Sequence, residues 1–100
     1  MIVRMWEVRL TAGGAQGMKE LLDTAVPELR KADGCEQVDV FASTSHGGEG
    51  RVVVISYWRD AAALEAIAGR DWQDTPTLLP GEEEFWGRPP HVWHFEKWEI

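Results

Sequence analysis

Four stretches of this chain read as β-strands, two by two-residue alternation and two by their apolar, β-branched and aromatic content, and only two carry helical spacing, an imbalance that limits the folds open to it. Ile2 to Leu10 sets Arg4, Glu7 and Arg9 among Val3, Met5, Trp6, Val8 and Leu10, which suits a strand, β1. After Thr11-Ala12-Gly13-Gly14, apolar residues recur from Gly17 onward as Met18, Leu21, Leu22, Ala25, Val26 and Leu29. Three- and four-residue spacing of this kind predicts an amphipathic helix, α1, that stops at Gly34. Pro27 lacks the amide hydrogen a continuous helix needs, so a kink or restart is expected near Ala25. Val38 to Ser43 alternates again as β2, and the glycine-rich turn 45–50 leads into Arg51 to Trp58, β3, completing a hairpin. Asp60 suits the N-cap of a short helix, α2, over Ala61 to Ala68, with Gly69 as its end. Asp71 to Pro90 shows no sustained period and reads as a long irregular segment. His91 to Glu99 alternates once more as β4.

The order β-α-β-β-α-β predicts one ferredoxin-like α+β domain over residues 1–100, an antiparallel sheet with two helices on one face. In this reading β4 lies at a sheet edge beside β2. Two helices cover one sheet face only, and the other would hold Val and Trp side chains in water, a larger patch than monomers usually show. A homodimer packed sheet against sheet follows as the expectation.

Charge and composition exclude several functions. Acidic residues outnumber basic ones 17 to 10 and the basic ones are scattered, so no patch exists for a nucleic-acid backbone. No apolar run approaches the roughly 20 residues that span a bilayer, and Arg4 interrupts the apolar N-terminus, so neither membrane insertion nor a signal peptide is expected. The single Cys35 has no disulfide partner and reads as a small buried residue in a reducing compartment, the cytoplasm. Glu82-Glu83-Glu84 reads as a solvated charged turn, because consecutive carboxylates point apart and no second cluster joins them; no metal is expected. The glycines at 47, 48 and 50 lack the Gly-Lys-Ser/Thr of a phosphate loop, and no nucleophile motif of a hydrolase is present.

The chain resembles the antibiotic biosynthesis monooxygenase family of the dimeric α/β-barrel superfamily along nearly its whole length. The resemblance is carried by the opening strand Met1-Ile2-Val3-Arg4-Met5-Trp6, the helix with Pro27 and its Asp33-Gly34 exit, the run Val54-Ile55-Ser56-Tyr57-Trp58-Arg59-Asp60 entering α2, and the closing Val92-Trp93-His94-Phe95-Glu96. It implies a homodimeric α/β barrel with a cavity between each sheet and its helices. It also implies oxygenation of aromatic, polyketide-like substrates without metal, flavin or other cofactor. A haem-degrading branch of the family has a Trp within α2 and a His shortly after it; those places fall here at Ile67 and near Thr77, which disfavours haem.

Two residue sets are candidates for chemistry. Arg4 and Trp6 share one face of β1, and His94 and Glu96 share one face of β4, each pair being two apart. His94 is the candidate general base for a phenolic proton, Glu96 the group that tunes it, and Arg4 the oxyanion stabiliser; a strand His beside a carboxylate also fits a structural pair. Trp6, Trp58, Trp72 and Trp86 are the candidates to stack on a flat ligand, with core or dimer-interface packing as the alternative and Trp58 the most structural of them. Trp93 and Trp98 have opposite parity on β4, so one of them is expected to face a partner subunit. Three functions remain open on these residues: a cofactor-independent oxygenase, a non-catalytic dimeric ligand-binding or accessory protein, and a haem protein.

Overall fold

In the computed structural model, which describes residues 1–43, 50–77, 81–82 and 85–100, the alternation of β1, Ile2–Leu10, becomes a division of faces. Arg4, Trp6, Val8 and Leu10 are buried, while Val3, Met5 and Glu7 between them are half-exposed. β3, Arg51–Trp58, repeats the division with Val52, Val54, Ser56 and Trp58 buried. β2 spans Cys35–Ala42 and β4 spans Trp86–Glu96. All neighbours are antiparallel and the order is β2-β3-β1-β4. This corrects the expectation that β4 lies beside β2: the two are opposite edges of the sheet, and β4 pairs with β1.

β4 also begins earlier than its alternation indicates, taking in Trp86 and running through Pro89 and Pro90. An edge strand accepts proline because one side of its backbone has no partner to bond, and the ladder with β1 shifts register between Glu7 and Leu10 where the prolines pass. The strand ends at Glu96, so Trp98 lies beyond it, 74% exposed. The turn predicted at 45–50 falls on residues of which only Gly50 is described.

α1 covers Ala15–Arg30 as one continuous helix, with Met18, Leu22 and Val26 buried on one stripe. The helix does not restart near Ala25. Pro27 sits on the exposed side of the last turn, where water can take the carbonyl of Asp23 that it leaves unbonded. α2 covers Ala61–Ala68, and the Asp60 carboxylate caps it by accepting from the Ala63 amide at 2.8 Å. Gly34, at φ +83°, turns the chain from α1 into β2, and a Cβ there would overlap that of Ala63.

Both helices lie on the face bearing Arg4, Trp6, Val54 and Trp58. The core there is in two parts, one from Trp6 to Val54 under α1 and one around Trp58, Ala63 and Leu64 under α2. Cys35 is half-buried, packed against both. The opposite face is uncovered. It carries Val3, Met5, Val53, Ile55 and Tyr57 at its centre, with Phe41, Trp93 and Phe95 at its edges 55%, 41% and 52% exposed. Among the described residues no helix is long and apolar enough to cross a membrane.

Candidate active site

Strand register brings the first candidate set together. Arg4 stands opposite Ser56 on β3 and opposite His94 on β4, and Ser56 in turn faces Val38 on β2. The inner face therefore has one polar row, Ser56-Arg4-His94, next to the apolar row Val40-Val54-Trp6-Val92. Nothing local in the sequence shows this, because it depends on β1 and β4 being neighbours.

Arg4 is 5% exposed. Its Nη1 donates to the Trp72 carbonyl at 2.8 Å and to His94 Nε2 at 3.0 Å. Its Nη2 reaches the Thr75 carbonyl at 3.3 Å and Thr77 Oγ1 at 3.4 Å. The guanidinium thus clasps the segment that follows α2, and the Trp6 indole helps by donating to the Thr77 carbonyl at 3.1 Å. Every one of these acceptors is neutral. Among the described residues no carboxylate forms an ion pair with Arg4. Burial pulls its pKa below the ordinary value, yet a guanidinium stays charged in proteins.

Because arginine can only donate, the 3.0 Å contact requires His94 Nε2 to accept, which makes the ring neutral with its proton on Nδ1. The electrostatics agree: burial first, and then the Arg4 charge, lower the His94 pKa, with Asp74 pulling weakly the other way. Trp72 meets the His94 ring edge-on at 4.8 Å and holds its plane. Glu96 is exposed at the end of β4, opposite Ile2, and among the described residues no hydrogen bond or ion pair joins it to His94.

Beside Arg4 a cavity of about 270 Å³ opens between the sheet and both helices. Arg4, Trp6, Val54, Ser56 and Trp58 form its floor, Leu22, Ala25, Val26 and Leu29 of α1 one wall, and Leu64, Ile67 and Ala68 of α2 the other. Glu28 and Thr77 complete the lining, and Ile67, 53% exposed, marks its open side. Trp58 is 1% exposed and donates to Ser56 Oγ at 2.8 Å, so it serves core and cavity at once. Ser56 was missed as a site residue, although a lone hydroxyl within Val-Val-Val-Ile-Ser-Tyr-Trp was a usable signal.

Trp72 and Trp86 do not line the cavity. Trp72 touches the site through its ring contact with His94 and its carbonyl on Arg4. Trp86 pairs with Leu10 at the far end of β4, packs on the core under α1, and donates to Glu82 Oε1 at 3.1 Å. Glu82 itself is 1% exposed, which corrects its reading as part of a solvated turn; Glu83 and Glu84 lie outside the described residues. Among the described residues no three His, Cys, Asp or Glu side chains come together as metal ligands.

The fold recurs in solved structures. A candidate antibiotic biosynthesis monooxygenase from Deinococcus radiodurans superposes with a TM-score of 0.71 at 17% identity, over 100% of this chain and 95% of its own. A Mycobacterium tuberculosis protein gives 0.72 at 19% identity over 99% and 96%. A further candidate monooxygenase, from Nitrosomonas europaea, gives 0.77 at 12% identity over 97% and 98%. Identities this low establish the architecture alone. No protein with a curated description matches the chain. The sequence model of antibiotic biosynthesis monooxygenases matches residues 1–77, which include β1, both helices, β3 and every residue that lines the cavity. On that match, the chain belongs to the antibiotic biosynthesis monooxygenase family.

Proposed function

We propose that this protein is a cofactor-independent oxygenase acting on a flat aromatic substrate, working as a homodimer with one cavity per subunit. The observation that carries the reading is an apolar cavity with a buried cation, Arg4, in its floor that among the described residues has no carboxylate partner. Such a site takes a ring system by burial and steadies negative charge on an attached oxygen. An aromatic substrate that forms an enolate or phenolate supplies its own electrons to dioxygen. A ring methylene then becomes a carbonyl, one oxygen atom entering the product and the other leaving as water with the two hydrogens. The part left to the protein is to hold the oxyanion, exclude water and orient the ring. Arg4 does the first, and Trp6, Trp58 and the helix walls do the rest. His94, whose Nε2 is committed to Arg4, is a positioning residue in this scheme.

The uncovered sheet face supports the dimer. It is apolar over β1, β3 and the Trp93–Phe95 part of β4, with Gln37 and Asp39 bordering it on β2, and exposed patches of that kind mark contact surfaces. Sedimentation at micromolar concentration is expected to show a dimer, and a stable monomer would remove this part of the reading.

Oxygen uptake with quinol- and anthrone-like substrates, at a pH where part of each is ionised, tests the activity. Uptake proportional to substrate, with water and not hydrogen peroxide as the second product, is the expected result. Thermal stabilisation by the same compounds without any uptake would favour the second reading, a dimeric binding or accessory protein using the same cavity.

A further inference from the structure

We propose that the natural occupant of this cavity is a small organic anion of one or two rings, already ionised when it binds, with its charged oxygen against Arg4. The inference rests on the cavity being the ligand site and narrows what that ligand is. Three observations lead to it. The first is the charge balance of the lining. Among the described residues Arg4 and Glu28 are its only charged ones, and Glu28 points to solvent with its side chain 71% exposed and paired to Lys31 at 3.2 Å. Arg4 is therefore a buried positive charge facing an apolar space, a placement that costs free energy unless something of opposite charge arrives.

The second is donor capacity. Of the guanidinium's N–H groups, those on Nη1 are used by the Trp72 carbonyl and His94, and those on Nη2 make only the long contacts to Thr75 and Thr77. Nε–H donates to no described residue. An anionic oxygen can take these weakly used donors as short, charge-assisted bonds.

The third is the lack of a free base at the site. The other polar side chains of the lining are the hydroxyls of Ser56 and Thr77, and the His94 lone pair is occupied by Arg4. Among the described residues nothing in the lining is placed to take a proton from a bound neutral acid, so the ligand brings its own charge. A volume of about 270 Å³ lies just under the range of ordinary small-molecule sites, roughly 300 to 1,000 Å³, so one or two fused rings fit inside and a third would extend through the open side at Ile67.

Naphthoate and naphthamide share one apolar body and differ in charge. Calorimetric titration of each into the wild-type protein is expected to give naphthoate at least about tenfold tighter binding, with quenching of the Trp fluorescence. Arg4→Met should reduce naphthoate to the affinity of naphthamide while leaving naphthamide within about threefold, and Arg4→Lys should keep the preference. Equal binding of the two probes to the wild type overturns the anion assignment and leaves the cavity standing as a ligand site. Failure of both to bind up to millimolar concentration overturns the cavity reading and the anion assignment together. The wild-type comparison decides the matter even if Arg4→Met does not fold.

Discussion

Acidifying the solution perturbs the Arg4–His94 contact without any mutation. The neutral imidazole accepts from Arg4 Nη1 at 3.0 Å; a protonated ring has no lone pair there and sets a second cation against the first. Free histidine titrates near 6.5, and in the fold burial and the Arg4 charge lower that value. The unfolded chain thus binds the proton more readily, so the stability owed to the neutral ring is whole above pH 6.5 and is lost as pH falls toward the folded value. A ring that refused the proton entirely would cost at most about 1.4 kcal/mol at about pH 5.5, and partial exposure of His94 to water keeps the loss below that ceiling. Urea unfolding followed by Trp fluorescence, from about pH 7.5 to about pH 5.5 at one protein concentration, measures it. The window stops above the range where most carboxylates titrate. His94→Gln keeps an oxygen that can accept from Arg4 but does not titrate, so its pH slope should be the shallower of the two, with His46 and His91 common to both proteins. Identical slopes, or a wild type that gains stability on acidification, would refute the reasoning.

Three further outcomes follow from packing. Ser56→Ala leaves the indole N–H of Trp58 buried without its 2.8 Å acceptor and should cost about 1–3 kcal/mol in urea unfolding. Gly34→Ala combines a left-handed backbone, worth roughly 1–2 kcal/mol to an L-residue, with overlap on Ala63, and Ala63→Gly should recover part of the loss. Ile55→Asp, on the middle row of the open face between Asp39 and Met5, should give a monomer in sedimentation with the helical circular dichroism intact; an unchanged dimer would mean that another surface joins the subunits.

Where the signal is local, the sequence carries it. β1, β3 and α2 keep their expected bounds, because eight- or nine-residue runs rich in apolar, β-branched and aromatic side chains and an Asp60 cap need no distant partner. Pro27 misled because the rule concerns a helix interior, whereas this proline is in the final turn on the wet side. Pro89 and Pro90 misled in the opposite direction: they argue against a strand unless it is an edge strand, and edge position belongs to the sheet and not to the segment. The same holds for Glu82, whose neighbours in sequence suggest solvent but whose buried position is fixed by Trp86. For the site, Arg4, Trp6, Trp58 and His94 could be named from residue type and parity. That Arg4 and His94 touch, and that Trp86 is far from both, follow only from which strands pair and in what register.

This dependence on register separates the residues that hold the architecture from those that line the site. The rows beside Ser56-Arg4-His94 do the packing: Val54 and Trp6 on one side, Trp58 and Ile2 on the other, each closed over by a helix. Hydrophobic positions of that kind accept other apolar residues of similar volume at modest cost, which is consistent with superpositions near 0.7 at identities of 12–19%. The polar row is different. Its members contribute little apolar burial, and a buried charge held by neutral acceptors is no better for folding than a well-packed apolar side chain. On the proposed reading, substitutions at positions 4, 56 and 94 should therefore change ligand binding more than they change the strands and helices around them.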